Sequence, residues 1–273
     1  MTGLRVDDLD ALAREGWRLG GRHCGCNGYH QLWGLLRQAG VVGGTRLDEP
    51  VLTPLLRERL ADGMRVLVAG AADPAQLGLL ARAGDGKRLL VTVADRCAAP
   101  LALIARLEPI AGLAIETHQG DLAALDRTEA WDLILSHSML PFVAPDARRT
   151  VLRELRAALR PGGVLVLVVR TAPGVSAAEL AGHDAAWLTH ARRRLSRVPL
   201  PGPAEAVDAL LRKHAVDRRA RVASSPTREA VEALLGDSDY RLTQVLPGPE
   251  STALELDGRR VAARSYVFVA AAA

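Results

Sequence analysis

Aromatic residues are scarce, 3% of 273 residues, with two phenylalanines in all. A core of stacked rings is excluded, and with 49% of residues hydrophobic the interior must be aliphatic. Three cysteines, an odd number, do not make a disulfide framework and suggest reduced thiols. The longest strongly apolar run, Val164 to Val169, is far too short to span a bilayer. The N-terminus carries Arg5, Asp7, Asp8 and Asp10 where a leader peptide needs an apolar run. Almost every cation is arginine, yet the formal net charge is only +4. Basic runs such as Arg192 to Arg194 are balanced by acids elsewhere, which argues against a nucleic-acid partner. The expectation is a soluble, cytoplasmic protein with neither a membrane nor a nucleic-acid partner.

What is present is an alternation. Apolar runs fall at Met64 to Gly70, Arg88 to Asp95, Leu113 to Asp121, Trp131 to Ser138 and Val164 to Arg170, with helical patterns between them. Val151, Leu152, Leu155 and Leu159 lie near helical spacing, and Pro161-Gly162-Gly163 predicts the stop. Strands apolar throughout and separated by helices predict a parallel sheet covered on both faces, wound in both directions. A helix at "PTREAVEALLG" and two strands, "YRLTQVLPG" and "RVAARSYVFVAAA", complete the pattern. A hairpin is expected between these strands, at Pro247-Gly248-Pro249 and Asp257-Gly258. The expected fold is α/β, a doubly wound, mostly parallel seven-stranded sheet. Residues 1–62 read as a helical lid, 63–171 with 224–273 as the sheet core, and 172–223 as a helical insertion.

Ligands bind such sheets at the C-terminal ends of the strands. Gly70 ends the first strand, and Asp73-Pro74 predicts a helix start, an N-cap acid before proline. Asp95 ends the second strand, where a carboxylate can accept from a ribose diol. Asp121 ends the third, placed to accept from an adenine amino group, and His137 ends the fourth. Plainer roles are open to each: Asp95 as a helix cap, Asp121 as a turn acid, His137 as a packed, hydrogen-bonded side chain.

This order of parts resembles the class I S-adenosylmethionine-dependent methyltransferases. "VLVAGAADP" is similar to that family's first motif and "GDLAAL" to its adenine-contacting motif. "WDLILSHSML" followed by "LRELRAALRPGGVLVLVV" is similar to its fourth strand, helix, turn and fifth strand. Ala72 and Pro74 stand where the family has further glycines, and Val68 where its first strand often ends in an acid. The resemblance implies a Rossmann-like fold, S-adenosylmethionine as cofactor, and a cofactor site of Ala69, Gly70, Ala71, Asp95, Arg96, Asp121, Leu122, Ser136 and His137. It implies transfer of a methyl group to a small-molecule acceptor. Read instead as a degenerate G-x-G-x-x-A, residues 70–75 would suggest an NAD(P)-dependent oxidoreductase. A non-catalytic nucleotide-binding protein on the same fold is the third reading.

The stretch "GGRHCGCNGYHQLW" from Gly20 to Trp33 stands apart. His23, Cys24, Cys26 and His30 are candidate ligands, but the neighbours His23 and Cys24 point apart in most backbones and no C-x-x-C pair is present. No metal is expected. Four glycines instead predict a flexible loop leading into a helix, with Tyr29 and Trp33 one turn apart on one face. That helix is expected to close over the cofactor and exclude water. His137, His30 and Tyr29 are the candidate catalytic side chains. Trp33, His183, Trp187 and His190 are the candidate acceptor-binding ones, because 183, 187 and 190 share a helical face. The same insertion face could instead pack on the core or form a homodimer.

Overall fold

β-Branched and leucine-rich runs form the strands; the first and third stop before Gly70 and Gly120, and the second ends on Asp95. The computed structural model describes residues 3–171, 177–250, 254–256, 259–261 and 263–272. β1 (Arg65–Ala69), β2 (Leu89–Asp95), β3 (Leu113–Gln119), β4 (Trp131–His137) and β5 (Leu159–Thr171) alternate with α4 (Ala75–Gly84), α5 (Ala98–Ile104) and α6 (Arg148–Ala158). After α10 (Arg228–Gly236) come β6 (Tyr240–Glu250) and β9 (Arg264–Ala272). The short pair β7 (Leu254–Leu256) and β8 (Arg259–Val261) lies between them. The seven-stranded order is β3-β2-β1-β4-β5-β9-β6. The first five strands are parallel, and β9 runs antiparallel to both β5 and β6.

Alternate residues fill two aliphatic layers. Val66, Val68, Val91, Val93, Leu133 and Leu135 face α3 (Glu49–Arg59), α4 and α5. Leu67, Ile134, Leu165, Leu167 and Phe268 face α6 and α10. Helices on both faces explain why these strands show no polar alternation.

Three expectations shift. Pro247 and Pro249 do not make a turn: β6 runs through them, and Pro247 pairs with Tyr266. β6 is an edge strand with register shifts, where proline's missing N–H costs no ladder bond. Asp257-Gly258 lies outside the described residues. Asp73 is not the N-cap itself: α4 begins at Ala75, whose N–H donates to Asp73 Oδ1 at 2.8 Å.

Gly20 and Gly21 are not loop residues either. They sit inside α1 (Leu9–His23), so the connection to α2 (Tyr29–Gln38) is short. A Cβ on Gly20 would lie 2.4 Å from Gln31 Cα, and one on Gly34 would lie 3.1 Å from Ala13 Cα. These glycines serve the crossing of α1 and α2. Leu32, Leu35 and Leu36 of α2 bury against Ala191 and Leu195 of α8 (Asp184–Leu195) and Val207 and Leu211 of α9 (Ala204–Ala223). The N-terminal helices and the insertion share one core.

Candidate active site

The first strand ends in a turn that glycine makes possible. Gly70 has φ +82°, and a Cβ there would sit 3.1 Å from Met139 Cγ. Its carbonyl accepts from Gln76 Nε2 at 2.9 Å. Asp95 ends β2, half-buried, with Oδ2 accepting from Ala71 N (2.9 Å) and Oδ1 from Cys97 N (2.7 Å). It therefore caps the next segment as well as fixing the glycine turn. Each oxygen keeps a lone pair for a ligand hydroxyl. Asp121 is exposed and caps a short 3₁₀ turn through Ala123 N, with Leu122 buried behind it. Arg96 is exposed, while Ala69 and Ala71 are buried. Ser136 is fully buried and donates to the Ala69 carbonyl at 3.1 Å, so it ties β4 to β1.

His137 is not an open side chain at the sheet mouth. Its Nε2 lies 2.8 Å from Asp48 Oδ2, and both groups are buried. Asp48 stands just before α3, and the Arg170 guanidinium is 3.7 Å away. Burial pushes the Asp48 carboxyl up. The hydrogen bond and charge of His137, with the charge of Arg170, outweigh that and hold it below the usual carboxylate range.

α2 lies across the glycine turn. Trp33 Nε1 donates to Asp73 Oδ2 at 2.8 Å, and Arg37 Nη1 does so at 2.5 Å. The cleft between α1, α2 and this turn measures only about 10 Å³, lined by Gly16, His30, Arg37, Ala72 and Asp73 among others. Tyr29 meets Trp33 at 5.2 Å between ring centroids, Phe142 at 5.0 Å and His214 at 5.8 Å. His214 is stacked in turn on Trp187 at 5.6 Å. Arg221 lies over the Tyr29 and Phe142 rings, and Arg218 over Trp187. Burial pushes the Tyr29 hydroxyl above its ordinary range, opposed by Arg221. His214 is pushed down to about 3 by burial, then by the charges of Arg221 and Arg218.

The structure thus brings Tyr29, Trp33 and Trp187 together and sets other candidates apart. His183 is the residue before α8, and His190 is exposed beside Ala185, Ala186, Thr189 and Arg193 on the outer side. His183 caps α8 and its carbonyl accepts from Trp187 N, so the residues keep helical register, but only Trp187 meets the ring cluster and His190 stays exposed. His30 turns away from the rings' centre toward Cys24, Cys26 and Cys97, while His23 meets Cys97 only through its carbonyl, at 3.9 Å. Asp48, Phe142, His214, Arg218 and Arg221 were missed because no local pattern marks them; Cys97 was visible only as the third cysteine.

Residues 66–163 match the family model of the methyltransferase domain. Among solved structures, the fold is similar to a TehB-like SAM-dependent methyltransferase from Corynebacterium glutamicum, at 16% identity, 90% of this chain, 96% of that chain and TM-score 0.50. It is also similar to the pyocyanin biosynthetic protein PhzM (15%, 94% and 62%, TM-score 0.50). A third likeness is to a possible exported protein from Bordetella parapertussis (18%, 84% and 68%, TM-score 0.53). These identities speak for the fold. None of the curated proteins matches the chain. Residues 66–163 are therefore a methyltransferase domain, and S-adenosylmethionine is the cofactor that the resemblance implies. The site fits it: the Gly70 turn leaves no Cβ in the cradle, and the Asp95 carboxylate, held by two N–H groups, faces the strand ends.

Proposed function

We propose that this methyltransferase acts on a small, flat acceptor carrying an anionic group, held between α2, α9 and the segment after β4. One observation carries this reading. Beside the Tyr29, Phe142 and Trp187 rings, the buried atoms Arg218 Nη1 and His214 Nδ1 have no hydrogen-bond partner among the described residues. Buried polar groups are normally satisfied, so a donor left open beside aromatic faces suits an acceptor that brings its own oxygens.

S-Adenosylmethionine supplies an electrophilic sulfonium methyl, so the protein's task is alignment and exclusion of water. Asp95 would hold the ribose diol, Asp121 the adenine amino group, and the Gly70 to Ala72 backbone the amino-acid end. The rings would stack the acceptor, and Arg218 and Arg221 would take its anion, bidentate if it is a carboxylate. Neutral His214 would donate its Nδ1–H to it. Trp33 and Arg37, bonded to Asp73, hold α2 down as a cover. His137, closed in by Asp48, serves as an anchor in this reading rather than as a base.

The test is transfer of a labelled methyl group to a panel of aromatic acids and phenols alongside their neutral amides and esters. Acids should exceed their neutral isosteres at least tenfold in kcat/KM, about 1.4 kcal/mol. Arg221→Gln should erase that preference while leaving S-adenosylhomocysteine affinity unchanged. Equal turnover of acids and isosteres would defeat the anionic-acceptor reading.

A further inference from the structure

All three cysteines of the chain meet in one place. Cys24 and Cys26 come from the short α1–α2 connection, His30 from the first turn of α2, and Cys97 from the start of α5. The three Sγ atoms and one imidazole nitrogen all lie within 4.8 Å of one another. Cys24 Sγ is 3.0 Å from Cys26 Sγ, and His30 Nδ1 is 2.8 Å from Cys26 Sγ and 3.7 Å from Cys24 Sγ. Cys97 Sγ is 3.6 Å from Cys26 Sγ. Cys97 is buried and the other three are half-buried.

We propose that Cys24, Cys26, His30 and Cys97 form a tetrahedral zinc site that fastens the N-terminal helices to the cofactor-binding sheet. Zinc takes thiolate at about 2.3 Å and imidazole at about 2.0–2.1 Å, so a filled tetrahedron spaces sulfurs by about 3.8 Å and sulfur from nitrogen by about 3.5 Å. Two of the observed separations, 3.6 and 3.7 Å, already match. The other two are shorter, and Cys26 needs to shift by less than about 1 Å to open the centre. Three soft thiolates with one imidazole select zinc over the hard, oxygen-seeking cations. Four protein ligands leave no open position, which makes the site structural rather than catalytic. Binding replaces the three S–H protons, which leave to solvent; with a neutral imidazole the centre carries one net negative charge.

A disulfide is the competing use of the nearest pair. It would consume only Cys24 and Cys26 and gives no reason for His30 and Cys97 to converge on them. Sequence spacing alone discouraged a metal, because His23 and its neighbour Cys24 point apart and no C-x-x-C pair is present; the remaining ligand, Cys97, lies 71 residues beyond Cys26. The fold supplies it, and because Cys97 N donates to Asp95 Oδ1, a residue of the centre itself supports the β2 carboxylate. The clamp therefore couples the position of α2 to the cofactor turn.

The experiment uses the full chain, purified without a polyhistidine tag and without chelator. Elemental analysis should find about one zinc per chain, and denaturing mass spectrometry should find three reduced thiols. Cys97→Ser should lose the zinc, whereas His23→Ala, next to the cluster but outside it, should retain it. Should Cys97→Ser not fold, cobalt exchange into the wild-type chain decides. Thiolate-to-cobalt charge transfer and tetrahedral visible bands support the site, and octahedral spectra overturn it. Metal-free protein that binds neither zinc nor cobalt, a Cys24–Cys26 disulfide, or an iron–sulfur cluster would each overturn the proposal.

Discussion

His214 shows how one buried side chain carries a pH signature. In the folded chain it stays neutral down to about pH 3, because burial and then Arg221 and Arg218 oppose its charge. In the unfolded chain it takes a proton near its ordinary value of about 6.5. Between those values the unfolded state holds more protons, so stability falls as pH is lowered through that window. The slope is at most about 1.4 kcal/mol per pH unit. Urea unfolding at pH 7.5 and 5.0 should show His214→Gln losing about 2 kcal/mol less than wild type over this interval. Equal losses would mean that His214 is not the buried neutral group described here.

Among the elements, α3 packs on the sheet through Leu52, Leu55 and Leu56, and the buried pair of Asp48 with His137 ties its start to β4. Removing one partner strands the other, which for buried pairs costs about 3–5 kcal/mol. Asp48→Ala should destabilise by that order at pH 7, read from the denaturation midpoint. The folded Asp48 carboxyl titrates below its ordinary value. Its contribution is therefore present above the ordinary carboxylate range and disappears as pH falls through the lower folded value. The variant's deficit should shrink in acid accordingly. His137→Gln separates anchor from base. An anchor loses stability and keeps the pH profile of kcat/KM, whereas a catalytic base would lose a limb of that profile.

At the scale of the whole molecule, the proposed cover is α2, which Trp33 and Arg37 tie to Asp73. The cavity between α1, α2 and Asp73 is about 10 Å³, room for about one water, so α2 packs closely on the segment before α4, and as a cover it would have to lift from there to admit a nucleotide-sized cofactor. The fastening visible there is Asp73, which accepts from both Trp33 and Arg37 while buried. Hydrogen bonds to a charged group contribute about 1.5–3 kcal/mol. Asp73→Asn weakens both and should raise the association rate of S-adenosylhomocysteine roughly tenfold or more, followed by stopped-flow tryptophan fluorescence. An unchanged rate would show that cover opening does not limit binding. Among the described residues no helix is long and apolar enough to cross a membrane.

The order of strands and helices was legible in the sequence because each run is apolar over its own length, and period alone separates a buried strand from an amphipathic helix. The placing of Gly70, Asp95 and Asp121 at or just past strand ends was legible too, and it is there that such sheets bind ligands. What lay beyond sequence were the meetings of residues far apart in the chain. Asp48 reaches His137 across 89 positions, Cys26 reaches Cys97 across 71, and Asn27 reaches Asp217 across 190. Periodicity reports which face of an element is buried, never what buries it. The partner is fixed by crossings such as that of α1 over α2, where Gly20 admits Gln31 at backbone contact, and by the shared leucine core of α2, α8 and α9. Tertiary structure alone therefore gathered three scattered cysteines around one histidine and set two arginines beside a buried imidazole.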